Sequence, residues 1–203
     1  MLIDIFKTSI YKTEIKKPEY IKWFKKALAY EKKKNKPGVQ ISNVGGYQTT
    51  NYTGIHNQEI NKEVFLRSAH DMCEELKPKQ VFTVSLHSWW INENSFGNYN
   101  FLHNHYNDKR PSVLSGVYYI EAPINSGRLM FQNQDVTKVN DENNKYFDNE
   151  ITWSKYFIVP KKYDLILFSP GTLHMVEPNM SKQKRISVSF NIQALPVEKN
   201  PTK

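Results

Sequence analysis

With a single cysteine in 203 residues, no intrachain disulfide can brace this chain, and its core must come from side-chain packing alone. Cys73, within "HDMCEELK" on a predicted helix, reads as a packed thiol rather than a nucleophile. Long hydrophobic runs are missing too: nothing approaches the roughly 18 apolar residues of a membrane-spanning helix. The N-terminus "MLIDIFKTSIYKTE" lacks a basic leader followed by a signal-type apolar segment, so the expectation is an intracellular, cytoplasmic protein without a membrane partner. Repeats are absent, and apart from the lysine run 32–34 so is low-complexity sequence, which excludes solenoids and fibrous arrays.

What is present is a globular chain. Hydrophobic residues make up 39% and aromatics 13%, enough to bury a core. The length suits one domain, 1–203. The net charge of +8 is spread over lysines interleaved with acids, as in "EIKKPEYIKWFKKALAYEKKKNKPG". That pattern reads as a solvated surface and not as a nucleic-acid site.

Two textures divide the chain. Up to about residue 80 it is helical. Pro18 at a first turn and Ile21, Phe24 and Leu28 at helical spacing predict an amphipathic helix over 18–34, and a second helix is expected over roughly 57–77. Between them "VQISNVGGYQTTNYTG" reads as a loop or strand-turn. From about 81 to 193 the segments "VFTVSLHSWWIN", "SVLSGVYYIEAP", "GRLMFQNQ", "YFIVPKKYDLILFSPG" and "KRISVSFNIQ" are β-branched and aromatic runs separated by turn residues. The expected class is mainly β with flanking helices: a closed barrel or a double-sheet jelly roll with helices outside one sheet. The polar stretch 133–155 reads as an inserted loop, over a site or as an excursion.

Chemistry concentrates in the β half. In "FLHNHYND" His103 and His105 stand at i and i+2, which in extended backbone places both imidazoles on one side. Such a pair is ligand-like but incomplete, and His174, after a strand and a Pro-Gly turn, is the best third candidate. Eleven residues further Arg185 and Ser187 again share a face, suited to a two-pronged grip on a carboxylate. Of the adjacent Tyr118 and Tyr119 one must face inward, either to fill the core or to meet a bound carboxylate. Asn92, Asn100 and Asn191 admit ligand contacts or ladder-end roles in the same way. His56, His70 and His87 have no convergent partner by spacing and read as packing or surface residues; Trp89 and Trp90 read as one core and one rim residue.

The stretches "SNVGGYQT" (42–49), "SWWINENSFGNYNFLHNH" (88–105), "LSGVYYIEAPINSGRLMFQN" (114–133) and "LILFSPGTLHMVEPNMSKQKRISVSFN" (165–191) together resemble the 2-oxoglutarate and Fe(II)-dependent oxygenase superfamily, and within it a group found in marine bacteria and phages. The resemblance implies a double-stranded β-helix, the cupin-like jelly roll, whose mouth holds Fe(II) through a His-x-Asp/Glu pair and a later histidine. It implies 2-oxoglutarate as cosubstrate, with ascorbate as an accessory reductant, and hydroxylation of a small-molecule or peptide substrate with release of succinate and carbon dioxide. Carried onto this chain, the metal ligands fall on His103, His105 and His174, and the carboxylate clamp on Arg185 with Ser187; Tyr119 and Asn191 are the further expected cosubstrate contacts on their own strand positions. The departure is His105, where the superfamily usually has an acid; Asp108, three residues on, is the alternative ligand. Two rival readings accompany this one: a three-histidine cupin-type dioxygenase that does not use 2-oxoglutarate, and a jelly-roll binding module without catalysis. Loops 42–54, 93–100 and 133–155 are the expected rim of the substrate mouth.

Overall fold

A computed structural model describes residues 7–106, 112–134 and 153–197. In chain order the elements are β1 (Ile10–Glu14), α1 (Pro18–Lys34), β2 (Asn43–Val44), β3 (Tyr47–Gln48), α2 (Gln58–Ile60), a π-helical turn (Asn61–Leu66), α3 (Arg67–Glu75), β4 (Phe82–Asn94), β5 (Tyr99–His103), β6 (Leu114–Glu121), β7 (Leu129–Gln132), β8 (Lys155–Ile158), β9 (Asp164–Phe168), β10 (His174–Val176) and β11 (Arg185–Pro196). The strands form two antiparallel sheets, a large one in the order β1-β9-β6-β11-β4-β3 and a small one in the order β2-β5-β10-β7-β8. This is the expected jelly roll.

Helix α1 begins where Pro18 presets the backbone and Glu19 meets the positive end of the helix dipole; Lys32, Lys33 and Lys34 occupy the negative end. Its buried residues Tyr20, Ile21, Phe24, Leu28 and Glu31 follow helical spacing, so one stripe faces the protein. The second helical stretch runs from 58 to 75 as expected, but through a π-helical turn that keeps Ile60, Val64, Phe65 and Ala69 all buried. Both helices cover the outer face of the large sheet, where Phe24, Phe65, Trp89, Tyr118 and Phe190 form an aromatic core with edge-on ring contacts such as Phe65–Phe190 at 4.8 Å. Among the described residues no helix is long and apolar enough to cross a membrane.

The central strand β11 shows how the sequence sorts its faces. Ile186, Val188, Phe190 and Ile192 pack into the helix-side core, while Arg185, Ser187 and Ser189 face the cavity between the sheets. Gly116, opposite Phe190 on β6, is needed for this packing: a Cβ there would lie against the Phe190 ring and 2.6 Å from Leu167 Cδ2. A second apolar cluster holds Val117, Leu129, Phe131, Ile158, Ile166 and Phe168, of which Val117, Leu129 and Phe168 line the cavity.

One strand is new relative to the sequence reading, which assigned no element to 10–14. Strand β1 pairs with β9 from Ile10↔Phe168 to Glu14↔Asp164, and Lys12 meets Asp164 at 3.0 Å. Its five residues carry too weak an alternation to announce a strand, and its pairing partner lies some 150 residues away in sequence.

Candidate metal centre and carboxylate pocket

His103 ends β5 and His174 opens β10, and the two are direct cross-strand partners, so their side chains leave the small sheet on the same face. His105 lies just past β5, held there by its backbone N–H donating to the Pro170 carbonyl at 2.7 Å. Ring centroids are 4.3 Å apart for His103 and His174, 5.1 Å for His105 and His174, and 5.3 Å for His103 and His105. One ring nitrogen of each lies within 4.8 Å of the other two, a spacing that can hold a metal ion.

A bulge in β5 assists this convergence. His174↔His103 is followed by Val176↔Asn100, so three residue steps on β5 face two on β10. The extra residue lets both His103 and Asn100 line the cavity, although their odd separation would otherwise send them to opposite faces. Phe101 and Leu102 are left exposed between them.

Each histidine also has its Nδ1 engaged. That of His103 lies 2.6 Å from the Phe101 carbonyl, that of His174 2.9 Å from the Thr172 carbonyl, and that of His105 2.9 Å from Asn191 Oδ1. A carbonyl only accepts, so Nδ1 carries the hydrogen in His103 and His174, and the lone pair is on Nε2. Burial keeps the rings neutral: it lowers the pKa of His103, takes His105 down to about 4 and His174 to about 3, with the neighbouring imidazoles adding to the last two. Neutral imidazoles with free lone pairs are the form that binds a metal.

The same cavity runs from these histidines to Arg185, passing Trp90, Asn92, Tyr119 and Ser187. Arg185 is 2% exposed. Its Nη1 donates to the Ser126 carbonyl and, at 3.0 Å, to the Glu177 carbonyl, while Nη2 is buried with no partner among the described residues. Among the described residues no carboxylate forms an ion pair with it. The Tyr119 hydroxyl is likewise buried and without a partner among the described residues; burial pushes its pKa up to about 12, against the opposing pull of the Arg185 guanidinium. A buried cation and a buried hydroxyl, each with a donor unused, fit the carboxylate end of a dicarboxylic acid.

The sequence-predicted residues therefore divide. His103, His105, His174, Arg185, Ser187 and Tyr119 line one cavity. Asn191 does not: its Oδ1 accepts from Ser115 Oγ at 2.7 Å and faces His105, and its Nδ2 donates to Ser88 Oγ at 3.2 Å. Asp108 lies outside the described residues, as does most of the 133–155 loop. Tyr118 faces the helices and donates to the Ile15 carbonyl at 2.9 Å, so the inward tyrosine is Tyr119. Trp89 is the core tryptophan, stacked on Tyr52 at 4.5 Å, and Trp90 the one beside the site, 5.5 Å from His105. The cavity also takes in Asn92, Asn100 and Ser42, with Asn100 Nδ2 donating to Ser42 Oγ at 3.1 Å. The sequence places Ser42 only as part of the 42–54 rim loop, since nothing in "ISNVGG" distinguishes it from a turn serine.

Two antiparallel sheets enclosing a histidine cluster and a buried arginine define a double-stranded β-helix of the oxygenase type. Residues 88–191 match the family model "Putative 2OG-Fe(II) oxygenase". The chain belongs to this 2OG-Fe(II) oxygenase family, and its cofactors are Fe(II) and 2-oxoglutarate. No curated protein matches the sequence. Similar solved structures include a prolyl-4-hydroxylase from Pseudomonas putida (12% identity, 92% of each chain covered, TM-score 0.57). A viral collagen prolyl hydroxylase from Paramecium Bursaria Chlorella virus-1, in its 2OG complex, has 16% identity over 90% of this chain and 94% of that one, with a TM-score of 0.53. HygX from Streptomyces hygroscopicus, with nickel, 2-oxoglutarate and hygromycin B bound, has 9% identity over 92% and 83% of the two chains, with a TM-score of 0.60. At such identities these likenesses speak to the shared fold.

Proposed function

We propose that this protein is a dioxygenase that hydroxylates a small-molecule or peptide substrate, with His103, His105 and His174 as the iron ligands and Arg185, Tyr119 and Ser187 as the grip on the far carboxylate of 2-oxoglutarate. The whole chain, 1–203, acts as one catalytic domain. The observation that carries the reading is that a cluster of three neutral imidazoles and an arginine with an unpaired, buried donor line a single cavity.

When bound, the iron supplies the activation of dioxygen that couples decarboxylation of 2-oxoglutarate, to succinate and carbon dioxide, with insertion of the second oxygen atom into a substrate C–H bond. The protein's residues do the rest. The imidazoles donate Nε2 lone pairs without first losing a proton. Arg185, fixed by the Ser126 and Glu177 carbonyls, orients the cosubstrate, and Tyr119 and Ser187 add hydrogen bonds to the same carboxylate. Phe168, Leu129 and Val176 line the cavity with apolar surface and limit water near the metal.

A three-histidine site is one negative charge short of the two-His-one-carboxylate set common for such iron. The rival reading of a three-histidine dioxygenase that does not use the keto acid would leave Arg185 without an anion to hold, and the family match speaks for 2-oxoglutarate. The experiment is a titration of Fe(II), under anaerobic conditions, and of 2-oxoglutarate, with succinate measured on exposure to oxygen. His174→Ala is expected to abolish metal binding, and Arg185→Ala to weaken 2-oxoglutarate at least tenfold with metal retained. Unchanged titrations in both variants, or turnover without succinate, overturn the assignment.

A further inference from the structure

We infer that Asn191 is a positioning residue that fixes the tautomer and direction of His105, so that this imidazole serves where an acidic ligand is usual; the inference rests on the metal-site reading above. Three observations carry it. First, the other two rings take their Nδ1 acceptors from the backbone carbonyls of Phe101 and Thr172, two residues away in each case. His105, beyond the end of its strand, has no such local carbonyl and relies on a side chain 86 residues away. Second, that side chain is itself held: Asn191 Oδ1 accepts from Ser115 Oγ at 2.7 Å, and Nδ2 donates to Ser88 Oγ at 3.2 Å. Ser115 is fully buried on β6 and Ser88 buried on β4, and both are Cα partners of Asn191, so three adjacent strands frame one amide. Third, the register of β11 against β4 shifts directly after this residue, Asn191↔Ser88 giving way to Ile192↔Leu86. Bulges of this kind re-aim side chains beside sites.

The chemistry follows from the donors. An imidazole free in water exchanges its proton between the two nitrogens, and only one tautomer presents Nε2 as a lone pair. With the amide oxygen turned toward Nδ1, the hydrogen is kept on Nδ1 and the lone pair on Nε2 is left for the metal. The reversed amide would donate to Nδ1 and place the hydrogen on Nε2, where it blocks the metal. Ser88 and Ser115 hold the amide in place beside His105, with Ser115 Oγ donating to Oδ1 and Ser88 Oγ accepting from Nδ2. Asn191 thus acts through His105 and touches neither metal nor cosubstrate.

The test uses the full-length protein and two variants, Asn191→Leu, which removes the acceptor at similar size, and Asn191→Asp, which keeps it. Imidazole nitrogen NMR of the metal-free protein reads the tautomer of His105 directly, and Co(II) titration followed by ligand-field absorption reads affinity. The expected result is an Nδ1–H tautomer in the native protein and in Asn191→Asp, with Co(II) bound at least as tightly by that variant. Asn191→Leu is expected to move His105 toward the Nε2–H tautomer and to weaken Co(II) about tenfold or more. A folded Asn191→Leu with unchanged tautomer and affinity overturns the inference; so does loss of the Nδ1–H form in Asn191→Asp, which decides the matter if Asn191→Leu does not fold. Failure of the native protein to bind Co(II) strikes the metal-site reading instead, while the tautomer measurement still judges Asn191.

Discussion

Tyr119 and Arg185 are both nearly inaccessible, and each buries a polar atom that finds no hydrogen-bond partner among the described residues. A free hydroxyl in such a place costs stability, so its presence points to a ligand that repays it. Tyr119→Phe separates the two effects. The variant is expected to be more stable than the native protein in the absence of ligands, by about 1 kcal/mol, because an unpaired buried hydroxyl has been removed. It is also expected to bind 2-oxoglutarate roughly ten- to a hundredfold more weakly, since a hydrogen bond to a charged acceptor contributes about 1.5–3 kcal/mol. Denaturant unfolding and a binding titration measure the pair; a variant that loses stability and keeps affinity places the hydroxyl outside the carboxylate pocket.

At the scale of elements, the turn between β6 and β7 matters as much as any ligand. Gly127 has φ +91°, and a Cβ there would press on the Glu177 carbonyl and lie 2.7 Å from Arg185 Nη1. The neighbouring Ser126 carbonyl and that of Glu177 are the two groups that fix the guanidinium. Gly127→Ala therefore strains the backbone by about 1–2 kcal/mol and pushes Arg185 from its seat. The expected outcome is a loss of 2-oxoglutarate affinity with metal affinity unchanged, measured by the same two titrations. Equal loss of both would mean that the whole fold had given way.

For the whole molecule the buried histidines set the response to acid. His105 and His174 have native pKa values of about 4 and about 3, against an ordinary 6.5 that the unfolded chain regains. Above pH 6.5 both states hold these rings neutral and the groups contribute no pH dependence. Below it the unfolded chain binds protons that the native protein refuses, so stability falls steadily as pH drops from about 6.5 towards 4. Urea unfolding of the metal-free protein across that range is the measurement. A flat profile between pH 6.5 and 4 would show that the rings are not held neutral by burial.

Much of this was written locally in the chain. The period-3.6 stripe and Pro18 define α1 at the ends observed, the alternation of "RISVSFNI" sorts β11 into a polar and an apolar face, and i, i+2 spacing pairs Arg185 with Ser187. These signals survive because each depends on neighbours a few residues away. The partners of the Asn191 amide, by contrast, are not legible locally: they are His105, Ser115 and Ser88. Strand β1, the bulge that aims His103 and Asn100 into one cavity, and the choice of Tyr119 over Tyr118 are decided by pairing between distant strands. Sequence by itself determined which residue types the protein could bring to a metal and an anion, because side-chain chemistry and local periodicity are properties of the chain. Only the tertiary structure decided which of them meet, because cross-strand register and burial are set by segments tens of residues apart packing at once.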